Sequence, residues 1–190
     1  MNRVAVLFAR RDSFYKALPF CDVWDAERDA LLWPGGAPVV AHPPCRSWGT
    51  LRHMAKPAPG ERALSPWAVE QVRAFGGVLE HPYRSQLWPF VGLPAPGHHD
   101  RYGGFTMVIR QYDFGHPCEK KTLLYIVGLS PASLPPLPCL AGCARFVVGT
   151  SGRNRLGKRL FRPECERSWR EATPPLLAWW LCEVAMKASP

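Results

Sequence analysis

The chain has 190 residues and a formal net charge of +9, from 24 Lys and Arg against 15 Asp and Glu. That length suits one domain with a sizeable core, and no stretch is apolar for long enough to span a membrane. Seven scattered cysteines, an odd number, argue against a disulfide framework and for a reduced, cytoplasmic chain, and the opening Met1-Asn2-Arg3-Val4 lacks a signal-peptide layout.

Residues 3–9 form a continuous apolar run, the pattern of a central strand covered on both faces. Residues 20–25 predict a second strand, with Asp25 at its end and Asp22 nearby. An acidic residue there is placed to hold a ribose. No Gly-x-Gly-x-x-Gly follows the first strand; Arg10, Arg11 and Asp12 stand where the glycines would be, so a nucleoside cofactor has no glycine-lined seat. Val39-Val40-Ala41 is a buried strand that runs into His42-Pro43-Pro44-Cys45-Arg46. Proline fixes φ and lacks a ladder donor, so Cys45 is expected on a rigid turn at a strand's carboxyl end, where ligands bind in open α/β sheets.

A basic loop follows, and Ser65-Pro66 predicts the start of a helix that ends at Gly76-Gly77. Gly77-Val78-Leu79-Glu80-His81-Pro82 repeats the strand-then-proline pattern and brings Glu80 to the rim beside Cys45 if the two strands are neighbours. Residues 85–89 predict a short turn or helix, and 91–104 a loop. His98-His99-Asp100 are too close in sequence to converge on one ion and read as a solvated turn. Residues 105–111 and 123–127 predict two strands joined by a polar turn, an antiparallel edge on a mostly parallel sheet, with His116, Lys120 and Lys121 near that turn. Residues 145–170 carry eight Arg and Lys against two Glu. The loop holding Arg153 and Arg155 is a natural phosphate contact. The last helix, 176–186, is nearly all apolar and must lie against the sheet. Cys139, Cys143, Cys165 and His116 lack the paired C-x-x-C of a zinc site, and no metal is expected. The fold class is therefore α/β, a Rossmann-like, mostly parallel sheet with helices on both faces. It forms a single domain over 1–190 with a small basic insertion at about 134–166.

A thiol and a carboxyl on one rim permit covalent catalysis. His42 or Arg46 would support a thiolate at Cys45. Glu80, beside that thiolate, is expected to be protonated and to hold the ring nitrogen of a heterocycle. A base in duplex DNA would first be flipped out.

These segments resemble the DNA cytosine-5 methyltransferase family, most closely its small phage-type DNA methylase relatives. Pro43-Pro44-Cys45 is similar to the catalytic Pro-Cys loop, and Leu79-Glu80-His81-Pro82 to the Glu-Asn-Val motif, with His81 in place of Asn. Gly115-His116-Pro117-Cys118-Glu119-Lys120-Lys121-Thr122 is similar to Gly-x-Pro-Gln-x-Arg-x-Arg, with Lys120 at the first Arg and Thr122 at the second. Leu7-Phe8-Ala9 resembles the start of the cofactor motif, and Ala172-Thr173-Pro174-Pro175-Leu176 the last motif. The resemblance implies a methyltransferase-like fold in which Cys45 attacks C6 of cytosine, Glu80 contacts N3 and the exocyclic amine, and Lys120 joins them. S-adenosylmethionine would be the methyl donor, bound near Phe8, Asp25, Pro44 and Thr173. DNA, or a nucleotide, would meet His42, Arg46, His81, His116, Lys121, Arg153 and Arg155. Two alternatives stay open. One is a nucleobase- or nucleotide-modifying enzyme that uses Cys45 and Glu80 without S-adenosylmethionine. The other is an inactive DNA-binding relative.

Overall fold

The computed structural model describes residues 3–148, 156 and 162–188. One mixed sheet organises the chain. Its strands are β1 (Val4–Ala9), β2 (Cys21–Asp25), β3 (Val39–Ala41), β4 (Gly77–Pro82), β5 (Phe105–Arg110) and β7 (Lys121–Val127), in spatial order β2-β1-β3-β4-β7-β5. The first four are mutually parallel; β7 runs against both β4 and β5. The reversed strand is thus the penultimate one, and β5 lies outside it. The two-residue strands β6 (Cys118–Glu119) and β8 (Phe146–Val147) pair with each other beside the sheet.

Alternation along the strands sends side chains to two cores. Val4, Val6, Val40, Val78, Leu124 and Ile126 face helix α4 (Pro175–Lys187), which contributes Leu177, Leu181 and Ala185. Ala5, Leu7, Val39, Ala41, Leu79 and Tyr125 face α1 (Glu61–Phe75) and the short α2 (Leu87–Val91). Both faces are covered, which is why β1 and β3 read as unbroken apolar runs. Burying each of these aliphatic side chains contributes roughly 1.5–3 kcal/mol before the cost of ordering it.

Helix α1 begins at Glu61, four residues before the serine that the sequence marks as its cap. The buried Glu61 carboxylate supplies the reason. It accepts the Ala58 N–H of the preceding loop at 3.3 Å and pairs with Arg46, so a negative charge lies in the first turn, where the helix dipole favours it. Pro66 falls inside the helix, and Ser65 is freed for another task described below. His98 and His99 are exposed, as expected of a solvated turn, but Asp100 is not. Asp100 accepts hydrogen bonds from Tyr125 Oη at 2.6 Å and from two backbone N–H groups, and so ties this loop to β7. The expectation of a wholly reduced chain is corrected as well: Cys118 and Cys165 form a disulfide, and the other five cysteines are free. Cys118 sits in β6 beside β8, and Val147 of β8 bridges the segment of Glu164 and Cys165, so chain pairing brings the two cysteines together despite their scattered spacing. No helix among the described residues is long and apolar enough to cross a membrane.

Gly77 fixes how closely β3 and β4 approach. Its φ is +116°, and a Cβ there would lie 2.0 Å from the Val39 carbonyl oxygen. Gly77→Ala should therefore lower stability by about 2–4 kcal/mol through strain and overpacking. Thermal unfolding checks this: a fall in Tm of roughly 5–15 °C is expected, and an unchanged Tm would contradict the close approach.

Candidate active site

The carboxyl ends of β3 and β4 are adjacent, and the groups of interest gather there. Glu80 is two residues from the end of β4 on the α4 face. Its Oε2 accepts from His42 Nδ1 at 3.2 Å, and its Oε1 accepts from Gln111 Nε2 at 3.0 Å. Gln111, fully buried just after β5, also bonds Thr122 Oγ1 at 2.9 Å. An ionised carboxylate only accepts, which fixes the orientation of the Gln111 amide and puts the His42 proton on Nδ1. His42 Nε2 lies 2.9 Å from the hydroxyl of the buried Tyr15, which donates to it in the neutral ring. A relay thus runs from Tyr15 through His42 to Glu80 and on to Gln111 and Thr122.

The charge state of Glu80 corrects the expectation of a protonated acid. Burial alone would raise its pKa. Lys120, then His42 and His81, outweigh burial and hold it down at about 2. Glu80 is a carboxylate, and it is 13 % exposed.

Cys45 begins the turn after β3. Its carbonyl accepts from Trp48 N at 3.0 Å and Gly49 N at 2.9 Å, which closes one helical turn. Trp48 is fully buried and anchors that turn, with Phe90 against its ring. Ser65 of α1 donates to the Pro44 carbonyl at 3.1 Å and holds the preceding step. Cys45 itself is exposed and free. The crowding of protein around its sulfur, and then the Glu80 carboxylate, push the thiol pKa up, while Lys120 pulls it down. Cys45, Glu80 and Lys120 therefore share one electrostatic environment.

Other expected contacts have structural work instead. Arg46 pairs with Glu61. His81 is fully buried on the α1 face, with Nδ1 at 2.7 Å from Ser85 Oγ and the Pro44 carbonyl near its ring; burial lowers its pKa to about 4 and removes it from contact with a substrate. His116 is buried too: Nδ1 accepts from Cys118 N and Nε2 donates to the Trp169 carbonyl, which pins helix α3 (Arg167–Glu171) beside the rim. Lys121 remains exposed, with its ammonium 5.9 Å from the Tyr83 ring. Thr173 is half-buried in the link between α3 and α4. Arg153 and Arg155 lie outside the described residues. Among the described residues no three His, Cys, Asp or Glu side chains converge as a metal ion would require.

Sequence reasoning missed Gln111 and Tyr15. A lone glutamine at a strand end and a tyrosine in an irregular crossover carry no motif. Only the hydrogen bonds from Gln111, just after β5, to Glu80 and from Tyr15 to His42 reveal them.

The S-adenosylmethionine side fits poorly. Asp25 is buried, and its oxygens are taken by Lys16 Nζ at 2.6 Å and by the N–H groups of Glu27 and Arg28. Lys16 and these bonds outweigh burial and lower its pKa to about 2. Asp22 is held by Arg28 and Trp24. Phe8, with φ +61°, turns its ring onto Trp67, and Arg10 pairs with Asp12 where a glycine turn would leave room. A ribose has no free carboxylate here.

Two measurements follow from these charges. The folded pKa of His81 is below its unfolded value, so the unfolded chain binds its proton more readily. The His81 contribution to stability is complete above about pH 6.5 and is lost as pH falls towards 4, with a slope of at most about 1.4 kcal/mol per pH unit. Urea unfolding across pH 4–7 should show this slope reduced in His81→Gln; equal slopes would refute it. Alkylation of Cys45 by iodoacetamide, followed by peptide mass spectrometry, should have its pH midpoint above the ordinary thiol range. Glu80→Gln should lower that midpoint and Lys120→Met raise it; midpoints that stay together would separate Cys45 from both charges.

No protein-family model, no curated protein and no solved structure matches this chain.

Proposed function

We propose that the chain is a nucleobase-acting enzyme of the DNA cytosine-5 methyltransferase kind, with Cys45 as nucleophile and Glu80 as the group that grips the base. One observation carries the reading: Glu80 is a carboxylate fixed at both oxygens from inside the protein, on the same rim as an accessible thiol and a shared lysine. The sheet supports it in outline, since a mixed, mostly parallel sheet with helices on both faces is consistent with a Rossmann-like fold.

The chemistry follows from the charge states. The Glu80 carboxylate accepts the exocyclic N–H of cytosine and favours a proton on the neighbouring N3, taken from solvent. That proton withdraws electrons from the ring. The Cys45 thiolate then adds to C6, and the C5–C6 π pair shifts towards C5. Lys120 favours the thiolate and balances the second negative charge. C5 then takes a proton from solvent, and loss of either C5 proton with departure of the thiolate from C6 restores the ring with its C5 hydrogen exchanged. A base must leave the duplex to reach this rim, and the exposed residues Arg52, His53, Lys56 and Lys121 are placed to meet phosphates. S-adenosylmethionine would supply the methyl group, but the residues around Asp25 and Phe8 do not suit it.

That misfit favours a second reading, in which Cys45 and Glu80 process a base or nucleotide without S-adenosylmethionine. One pair of experiments separates the readings. In D2O, reversible addition at C6 should exchange the C5 hydrogen of cytosine in an oligonucleotide, read by mass spectrometry. Cys45→Ala should abolish the exchange. With 5-fluorocytosine DNA, an intact-mass adduct that forms only with S-adenosylmethionine supports the methyltransferase. Exchange without any donor-dependent adduct supports the second reading. Absence of both overturns covalent base chemistry.

A further inference from the structure

Two thiols meet beneath the rim. Cys21 opens β2 and Cys182 lies in α4, 161 residues later, yet their sulfurs are 3.5 Å apart. Cys182 is fully buried and Cys21 is half-buried. The hydrogen bond between them lowers the pKa of Cys21 and raises that of Cys182, where burial adds to the rise. Cys21 is the more accessible sulfur, and Cys182 is the sheltered one. Thiol–disulfide exchange uses this division of roles between an attacking thiol and a resolving one. Among the described residues no other two free thiols are hydrogen-bonded to each other.

We propose that Cys21 and Cys182 form an oxidisable dithiol site that reacts with a small disulfide of the glutathione type and closes into an intramolecular bridge between β2 and α4. The Cys21 thiolate attacks one sulfur of oxidised glutathione. A Cys21–glutathione disulfide forms, and one glutathione thiolate leaves. Cys182 then loses its proton, and its sulfur displaces the second glutathione from Cys21. Two protein thiols become one disulfide, and their two electrons and two protons end on two glutathione thiols. The sulfurs need to close by about 1.5 Å to reach a bond of about 2.05 Å, a movement of the size that two side-chain rotations supply.

The site touches the relay described above. Tyr15, whose hydroxyl bonds His42, is buried in the same core, and its pKa is raised by burial, then by Cys182, Glu80 and Cys21. Closing the bridge removes a titratable sulfur pair from beneath Tyr15. The dithiol chemistry itself does not depend on what the rim does.

The test uses the full chain with its Cys118–Cys165 bridge intact. The protein is incubated with oxidised glutathione, quenched with N-ethylmaleimide and digested with trypsin without reduction. Cleavage at Lys16, Arg28, Arg170 and Lys187 should release peptides 17–28 and 171–187 joined by a disulfide. Cys182→Ser should leave Cys21 as a persistent glutathione adduct, because the resolving sulfur is gone; Cys182→Ala checks the same outcome should serine disturb the core. The proposal is overturned if the joined peptides are absent while Cys139 and Cys143 are modified. It is also overturned if the Cys21 adduct persists equally in the unsubstituted chain.

Discussion

A carboxylate held between two internal nitrogen donors is the constraint on which the rim depends. Glu80 is nearly buried, and an unpaired carboxylate there would take up a proton. His42 and Gln111 each take one oxygen, and Lys120 supplies the compensating charge. Each of these partners comes from a different part of the sheet: the end of β3, the end of β5 and the start of β7. The pairing β3–β4–β7–β5 is thus bound up with the charge on one side chain. The same negative charge acts on Cys45, whose thiol pKa is pushed up by burial and then by Glu80 and pulled down by Lys120.

Much of this was legible in the sequence, because proline and aliphatic runs are strong local signals. Val39-Val40-Ala41 before Pro43-Pro44, and Val78-Leu79 before Pro82, located two strands and put Cys45 and Glu80 at their ends. What the sequence hid were tertiary partners. His42, His81 and His116 read alike as polar residues near motifs. In the fold one orients Glu80, one is tied to Ser85 on the opposite face of the sheet, and one pins α3. A single residue step along β4 decides which core a side chain enters, and so separates Glu80 from His81. The Glu80 charge was misjudged for a related reason. Like-charge repulsion from Cys45 is visible in a motif, whereas Lys120 and His42 enter only once the strands are paired.

The nucleotide side shows how local chemistry can fill a seat. Asp25 stands at the end of β2, where a ribose ligand is expected, but Lys16 reaches it from the short turn after β1. Arg10 bonds Asp12 and the Ser168 carbonyl, which draws the first loop towards α3. These contacts consume the groups that a cofactor would need. They also link the first loop to the element that His116 holds in place.

The backward course of β7 has a wider consequence. In a sheet whose strands all point one way, a single edge collects only strand exits, and residues that lead into strands lie about 15–20 Å away at the far edge. Reversing one strand brings an inbound segment to the exit side. Lys120 belongs to that inbound segment, and its carbonyl is bonded by the Gln111 N–H of the outgoing chain at 2.9 Å. A cation from one direction of travel and an amide from the other are clasped at the base of a ten-residue excursion. Changing the direction of that one strand would leave Glu80 without its neutralising neighbour, however faithfully every motif were kept.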